Sequence, residues 1–250
     1  KVIRTFKGPA RLGVNRATWD LRRDAFRQFP RLETSRPDEE PRGPEVPPGT
    51  YAVTIRFRDR EARGTVEVRP DPRSTSTTAD TQRRWDAVLA VGRLRDTAVE
   101  AIERVRAARA DVDAVIALAK ADAARAERAR REAGGAPPAK PEEPALAKAG
   151  AALKERLTTV ERLVWSPREM VGIVAENDPV SKLFMLEEYL TSTWAPPSEA
   201  HLAHLRTAES LLAKALAEVD ALFAGEVAAV RARADAAGIR LLATAPPVAP

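Results

Sequence analysis

Hydrophobic residues recur with two different periods along this chain. In residues 51–58 they alternate with polar or small residues, which is typical of a β-strand with one buried face. From about residue 80 onward they recur at spacings of three and four, which is typical of amphipathic helices. The alternating set is Tyr51, Val53, Ile55 and Phe57. We therefore predict an α+β protein in several parts, with a β part followed by helices.

The β part contains three candidate strands. Residues 64–68 alternate again after the polar turn at residues 59–61, which predicts a β-hairpin with the strand before it. In residues 13–22, Ala17, Trp19 and Leu21 share one face, so Trp19 is predicted to lie in a core. The pattern indicates a partial immunoglobulin-like β-sandwich over residues 1–73.

The start of the β part and the segment before its hairpin carry two further predictions. The sequence at Lys1 already has the character of a strand, so we expect an earlier strand to precede it. Residues 29–48 are rich in Pro, Glu and Arg and poor in hydrophobic residues, which predicts a long exposed loop.

The helical part begins with one long predicted helix. It extends from about Asp80 to Glu132, where Gly134 and Gly135 end it. At about 1.5 Å per residue, it would be roughly 80 Å long. Its hydrophobic stripe includes Trp85, Val88, Gly92, Arg95, Val99, Ile102, Val105, Val112, Val115, Ile116 and Ala119.

Shorter helices follow a proline-rich linker near residues 134–144, which we expect to be mobile. One helix is predicted over residues 145–164, a short one after the capping box that begins at Ser166, and another after Asp178-Pro179. The last starts near Ser198 and stops at Gly238. Residues 74–250 are therefore predicted to form an antiparallel up-and-down helical bundle.

Composition excludes several kinds of site. The chain contains no cysteine, so disulfides, thiolate metal sites and a cysteine nucleophile are impossible. No hydrophobic stretch approaches the roughly 20 residues that a membrane-spanning helix needs. Residues 1–78 hold 17 Lys and Arg against 11 Asp and Glu, a net charge of +6, and the remaining residues hold 24 against 25, a net charge of −1, so the basic character of the chain belongs to the β part. Since these arginines are not interleaved with the series of stacking aromatic residues that single-strand binders require, the pattern does not favour nucleic acid as a partner.

Candidate catalytic groups are few. His201 and His204 lie three residues apart, but no third metal ligand is marked by the sequence. Glu187 and Glu188 are adjacent on a helix and point about 100° apart, so they cannot flank a sugar as the carboxylates of a glycosidase do. Asp20 is expected to pair with a neighbouring arginine. We predict no catalytic residues, no metal ligands and no cofactor.

Two groups of residues are candidates for binding. Tyr189, Trp194 and Trp165 lie near helix ends, where aromatic residues either pack a bundle end or anchor a protein partner. A polyanion-binding surface is the other candidate, because a basic surface attracts such ligands. Its residues would be Arg4, Arg56, Arg58 and Arg60.

The β part contains three short motifs: Gly13, Asn15, Arg16, Trp19, Asp20, Leu21 and Arg22, then Pro48-Gly49-Thr50-Tyr51, then Asp71-Pro72-Arg73. These motifs resemble the immunoglobulin-like module that follows the propeller in bacterial neuraminidase-repeat proteins. The helical part, from Lys182-Leu183 to Ala195-Pro196-Pro197-Ser198, resembles the tail of the same proteins. They are similar to sortilin-type propellers and are often labelled glycosyl hydrolases.

The resemblance implies that several hundred residues with the propellers precede this region, and that the protein is exported to the periplasm, the cell surface or the medium. It implies a non-catalytic structural and protein-interaction region, whose partners would be the upstream propeller, other protein subunits or a second copy. Two alternatives remain open. The region could be an accessory part of a glycoside hydrolase whose active site lies upstream, or it could be a basic polyanion-binding module.

Overall fold

The computed structural model describes residues 1–29, 41–135, 143–166 and 178–239. These residues form an α+β structure that is mainly helical, with one two-stranded antiparallel sheet. A π-helical turn, Phe223–Val227, lies between the helix Glu199–Leu222 and the helix Ala228–Ala236. The strands are β1 (Gly49–Phe57) and β2 (Arg60–Val68), and the helices are α1 (Thr78–Glu132), α2 (Ala145–Val164), α3 (Pro179–Ser192), α4 (Glu199–Leu222) and α5 (Ala228–Ala236).

The predicted hairpin is confirmed. β1 and β2 pair antiparallel from Gly49 opposite Val68 to Phe57 opposite Arg60. The turn consists of Arg58 and Asp59, so it is shorter than the predicted turn over residues 59–61. Arg58 has a φ of 53°, in the left-handed region that two-residue hairpin turns often require.

The immunoglobulin-like sandwich is not formed by the described residues. Apart from the hairpin, strand pairing in this part of the chain is limited to an isolated bridge between Arg22 and Glu45. Leu21 has a φ of 58°, which interrupts an extended conformation. Asn15 holds a local turn, since its side chain donates to the carbonyl oxygen of Arg11 at 2.8 Å and accepts from the N–H of Arg11 at 2.9 Å. Residues 13–22 are therefore not the predicted strand.

The chain divides into two compact units. The first unit contains Lys1–Asp96 and Leu183–Arg206, and the second contains Thr97–Lys182 and Thr207–Pro250. Helices α1, α3 and α4 each contribute to both units. The domain boundary predicted near residue 73 stays a prediction.

Local capping signals set the helix ends where the sequence predicts them. Thr77 caps α1, because its Oγ1 accepts the N–H of Asp80 at 3.1 Å while Asp80 accepts the N–H of Thr77 at 3.1 Å. Gly134, with a φ of 80°, ends α1 in a Schellman motif. Gly238 ends α5 in the same way, and the N–H of Ile239 donates to the oxygen of Ala234 at 2.8 Å.

Two predicted features lie largely outside the described residues. The mobile linker predicted near residues 134–144 includes residues 136–142, which are not described. The capping box at Ser166 continues into residues 167–169, which are also not described. The helix after Asp178 is present, and Asp178 accepts the N–H of Ser181 at 2.9 Å as its N-cap.

In the first unit, α1 packs against Phe26, which precedes the exposed loop predicted over residues 29–48. Two residues within that predicted loop, Phe29 and Val46, are buried, and its residues 30–40 lie outside the described residues. Phe26 lies against the helix at Gly92, where an added Cβ would come within 1.9 Å of the phenyl ring. The absence of a side chain at Gly92 therefore creates the space that Phe26 occupies.

In the second unit, α1 and α2 run antiparallel. Arg106 pairs with Glu161, and Gly150 lies against Ile116, so positions ascend on one helix as they descend on the other. Ala147 of α2, Ala234 of α5 and Ile239 share one hydrophobic cluster with Val115 and Ala119 of α1. No helix among the described residues is long and hydrophobic enough to cross a membrane.

Candidate functional site

One face of the hairpin carries hydrophobic side chains that are largely exposed. Ile55 is 64% exposed and Phe57 is 53% exposed, and both lie on the same face as Tyr51 and Val53. Val66, opposite Tyr51 on β2, is also exposed. We call these residues the hairpin face: Tyr51, Val53, Ile55, Phe57 and Val66.

Only the end of the hairpin face near Tyr51 is covered by other described residues. Trp19 packs edge-on against Tyr51 with ring centroids 5.4 Å apart, and its Nε1 donates to the carbonyl oxygen of Arg22 at 2.7 Å. Trp19 is half-buried, so it is less enclosed than the core position predicted for it. The Tyr51 hydroxyl donates to the oxygen of Pro47 at 2.5 Å, and burial raises the pKa of Tyr51. The far end, at Ile55 and Phe57, faces solvent.

The four arginines predicted to bind a polyanion lie in the first unit and differ in their surroundings. Arg4 pairs with Asp24 at 3.3 Å, and Arg56 pairs with Glu61 at 2.8 Å. Hydrogen bonds from Arg56 and from Arg63 lower the pKa of Glu61. The guanidinium of Arg58 lies 5.3 Å from the centroid of the Phe57 ring.

Arg60 forms no ion pair with the described residues. The two arginines at the turn, Arg58 and Arg60, are therefore not neutralised by a carboxylate in this part of the chain. Arg4 and Arg56, by contrast, are partly neutralised.

Helix α3 presents a hydrophobic side to solvent as well as one to the core. Leu183, Leu186 and Leu190 are buried, as the sequence predicts. The exposed side carries a row of large residues that continues past the end of the helix. We call this row the α3 aromatic strip: Phe184, Met185, Tyr189 and Trp194, which are between 41% and 49% exposed.

Trp194 is held in place by the second turn of α1 and by the segment just before this helix. The guanidinium of Arg84 lies 4.7 Å from the centroid of a Trp194 ring, and Ser76 Oγ donates to the carbonyl oxygen of Trp194 at 3.1 Å. Burial lowers the pKa of Arg84, and the charge of Glu45 offsets part of that shift. The indole is therefore fixed in position and still half exposed. These are the properties of an aromatic residue that anchors a binding partner.

Tyr189 stacks on His201 with ring centroids 5.8 Å apart and an interplanar angle of 18°. His201 Nδ1 accepts the N–H of Ser198 at 3.3 Å, while Ser198 Oγ accepts the N–H of His201 at 3.2 Å. This reciprocal pair caps the start of α4, so one ring nitrogen of His201 is already engaged. Within the described ranges, no group of three His, Cys, Asp or Glu residues is arranged to hold a metal ion.

Two of the carboxylates considered for a glycosidase pair, Glu187 and Asp20, are engaged in other contacts. Glu187 pairs with the buried Arg95, whose guanidinium lies 5.0 Å from the centroid of the Phe184 ring and 5.6 Å from that of Phe29. Asp20 accepts the backbone N–H of Arg22 at 3.1 Å, in a local turn. The sequence placed Arg95 in the helical stripe but did not indicate its partners, because Glu187 lies 92 positions away.

Trp165 belongs to the second unit, so it is described apart from Tyr189 and Trp194. It is half-buried at the end of α2, and the Arg106 guanidinium lies 5.8 Å from the centroid of its ring. Arg106 and Arg109 both pair with the buried carboxylate of Glu161, at 2.6 Å and 2.9 Å. Whether any of the three predicted aromatic residues binds a partner stays a prediction.

The chain matches no protein-family model, no curated protein and no solved structure. The resemblance to the neuraminidase-repeat propeller proteins therefore depends on the sequence motifs alone. Two solvent-facing hydrophobic surfaces of the first unit, the hairpin face and the α3 aromatic strip, are candidate binding surfaces among the described residues.

Proposed function

We propose that this chain is a non-catalytic structural and protein-interaction region of a larger exported β-propeller protein of the neuraminidase-repeat type. The observation that carries the proposal is the exposure of Ile55 and Phe57 on the hairpin face. An isolated two-stranded hairpin is only marginally stable in water, so this face gains stability from any structure that covers it. Its role would be positional, holding neighbouring domains or subunits together.

The proposed occupant of the hairpin face is the domain that precedes this region in the parent protein. Sheets that pack face to face lie about 10 Å apart and exclude water between their hydrophobic sides. A second sheet from the upstream domain would complete the immunoglobulin-like sandwich that residues 1–73 resemble. The α3 aromatic strip would then remain for other protein subunits, since Tyr, Trp, Phe and Met are enriched at such interfaces.

Binding of this chain to the separately produced upstream domain tests the proposal. Phe57→Asp places a charge on the hairpin face and should weaken binding by at least tenfold, because a buried charge without a partner is costly. Thr54→Asp is the matched control, because Thr54 lies on the opposite face of the same strand and is exposed. Equal binding by both variants, or no binding by the unmodified chain, would contradict the proposal.

A polyanion-binding role is the second candidate, favoured by Arg58 and Arg60, which lie beside the hairpin turn without carboxylate partners among the described residues. Binding to heparin at low salt should fall steeply as salt is added, because counterion release drives such binding. Arg58→Gln/Arg60→Gln should lower the affinity, whereas Arg4→Gln should change it less because Arg4 is paired with Asp24. Heparin binding that is absent at low salt would remove this candidate.

A further inference from the structure

The outer edge of β2 has free backbone groups in the part of the chain that the structure describes. Phe57 and Arg60 are opposite each other across a two-residue turn, so they exchange backbone hydrogen bonds. Because the direction of these groups alternates along a strand, the N–H and C=O groups of Glu61, Arg63 and Thr65 point away from β1. The strand is exposed along almost its whole length. The edge can therefore accept another strand.

Charges along this edge are arranged symmetrically about Thr65. Glu61 and Arg63 precede it at alternate positions, and Glu67 and Arg69 follow it at alternate positions. An antiparallel copy centred on the same threonine would place Glu61 opposite Arg69 of the second copy, and Arg63 opposite Glu67 of the second copy. Every charge at these positions would meet the opposite charge, and Thr65 would meet itself.

We propose that β2 pairs edge to edge with β2 of a second copy of this chain, in antiparallel register centred on Thr65. The product is a continuous four-stranded sheet in the order β1, β2, β2 of the second copy, β1 of the second copy. A symmetric dimer requires a self-complementary surface, and this edge is one. The residues whose backbone groups point outward are the ones that face each other in this register, so the hydrogen-bonding pattern is satisfied.

The hairpin face lies on the side of the sheet opposite these charges, and the β2 residues on that side fit the same register. Gly64 would lie opposite Val66 of the second copy, and Ala62 opposite Val68 of the second copy, so small and branched hydrophobic residues meet. The resulting four strands exceed the minimum that makes a sheet stable by itself. Pairing thus extends the hairpin face without covering it.

The edge of β1 does not offer the same complementarity. Arg56 is the only charged residue in Gly49–Phe57, so a symmetric pair of β1 strands has no opposite charges to bring together. Charged residues on an edge strand usually discourage pairing. On β2, however, the order of the charges favours pairing with one specific partner. That partner is another copy of this chain in this register, because each charge then meets the opposite charge.

The inference rests on the proposed function in that it treats the hairpin as an interaction surface. It uses a different part of the hairpin, however, since the upstream domain would cover the hairpin face and the second copy would bind the β2 edge. Substitution of Phe57 therefore tests binding of the upstream domain, and substitution of Arg63 tests dimerisation. We expect an Arg63 variant to lose the dimer and to retain binding to the upstream domain.

Disulfide cross-linking tests the register directly, because the chain contains no cysteine. In Thr65→Cys the two Cα atoms would lie about 5.5 Å apart, a distance that a disulfide spans. Ala52→Cys is the matched control, because Ala52 is opposite Thr65 on β1 and equally exposed. Its two copies would lie roughly 14 Å apart, three strand spacings of about 4.8 Å, which is too far for a disulfide.

Charge reversal tests the complementarity by sedimentation velocity over a range of concentrations. Arg63→Glu and Glu67→Arg each create like-charged pairs across the edge, and each should raise the dimer dissociation constant on the order of tenfold. Mixing the two single variants should restore association as a heterodimer, and the double variant should restore the homodimer. Arg63 pairs with Glu61 and Glu67 pairs with Arg69, and both ion pairs are exposed, so the fold should be unaffected.

The outcomes decide between the possible occupants of the edge. Faster cross-linking of Thr65→Cys than of Ala52→Cys, together with rescue by the mixed variants, supports the proposal. A monomer at all concentrations tested, or equal cross-linking of both cysteine variants, overturns it. Binding of heparin that is lost in Arg63→Glu, without any self-association, would assign the edge to a polyanion and also overturns it.

Discussion

Arg84 of α1 and Leu190 of α3 are joined by a hydrogen bond of 2.7 Å from the guanidinium Nε to the backbone carbonyl oxygen. Leu190 is in the last turn of α3, where carbonyl groups lack partners within the helix. A cation at this end also interacts favourably with the helix dipole. The buried arginine therefore completes α3 and, beneath Trp194, fixes the end of the α3 aromatic strip.

Removal of this guanidinium should destabilise the first unit. We expect Arg84→Ala to lower the free energy of unfolding by about 2 kcal/mol, because it leaves a carbonyl group without its charged donor. Arg83→Ala is the control, since Arg83 is exposed in an ion pair with Asp80, and it should cost less than about 0.5 kcal/mol. Urea unfolding followed by circular dichroism measures both. Equal effects of the two substitutions would mean that the contact with Leu190 contributes nothing.

Gly92 should be required for the packing of Phe26. A Cβ at this position would lie 1.9 Å from the phenyl ring, so Gly92→Ala displaces Phe26. We expect a net loss of about 1–2 kcal/mol, because overpacking outweighs the gain of about 1 kcal/mol in helix propensity. Gly225→Ala is the control, because no atom lies within 4 Å of its added Cβ, and it should stabilise by about 0.5–1 kcal/mol.

A double variant separates the clash from other effects of alanine at position 92. In the Phe26→Ala background the ring is absent, so Gly92→Ala should become neutral or stabilising. Thermal unfolding of the four chains gives the coupling between the two sites. A loss of stability that persists in the Phe26→Ala background would show that something other than the ring opposes the new side chain.

The start of α1 should depend on pH through Asp80. Hydrogen bonds from the Thr77 hydroxyl, from Arg83 and from the Thr77 N–H lower the pKa of Asp80 to about 2. Because the pKa is lower in the folded chain than the unfolded value near 3.9, the carboxylate stabilises the fold above about pH 4. That contribution is lost as the pH falls toward 2. Thr77→Ala should move the pKa of Asp80 up toward 3.8, as followed by the carboxyl carbon chemical shift in NMR.

Adjacent residues of α3 should respond very differently to substitution. Leu186 is 2% exposed, so Leu186→Ala leaves a cavity and should cost about 2–5 kcal/mol. Met185 is 41% exposed on the α3 aromatic strip, and Met185→Ala should change stability by less than about 0.5 kcal/mol. Denaturant unfolding compares them. A large loss for Met185→Ala would mean that the strip is covered by other parts of the chain.

Helix boundaries could be predicted well because their signals are local. Residues 145–164 form a helix as predicted, and Gly134 ends α1 because its left-handed φ is strained for other residues. The hairpin was likewise predicted from alternation within one segment. The candidate site was predicted only in part, since Tyr189 and Trp194 were named from their positions near a helix end, whereas Phe184 and Met185 were not named.

Contacts between distant segments could not be predicted. Phe26 and Phe29 lie in a stretch of polar composition, and nothing near them in sequence indicates that α1 provides space for a ring at Gly92. Leu21 belongs to an alternating run, yet its positive φ interrupts the strand that the alternation predicts. The pairing of Arg95 with Glu187 likewise joins groups that are far apart in the chain.

The sequence by itself determined the type of the helices and of the hairpin and most of the helix ends, because periodicity, caps and glycine conformation act within a few residues. It did not predict the π-helical turn Phe223–Val227, which divides the last predicted helix into α4 and α5. Only the tertiary structure decided which hydrophobic side chains are enclosed and which remain in solvent. Alternation placed Tyr51 and Phe57 on one face, but Tyr51 is covered by Trp19 and Phe57 is not. The physical reason is that burial depends on what packs against a face, and that comes from segments distant in sequence.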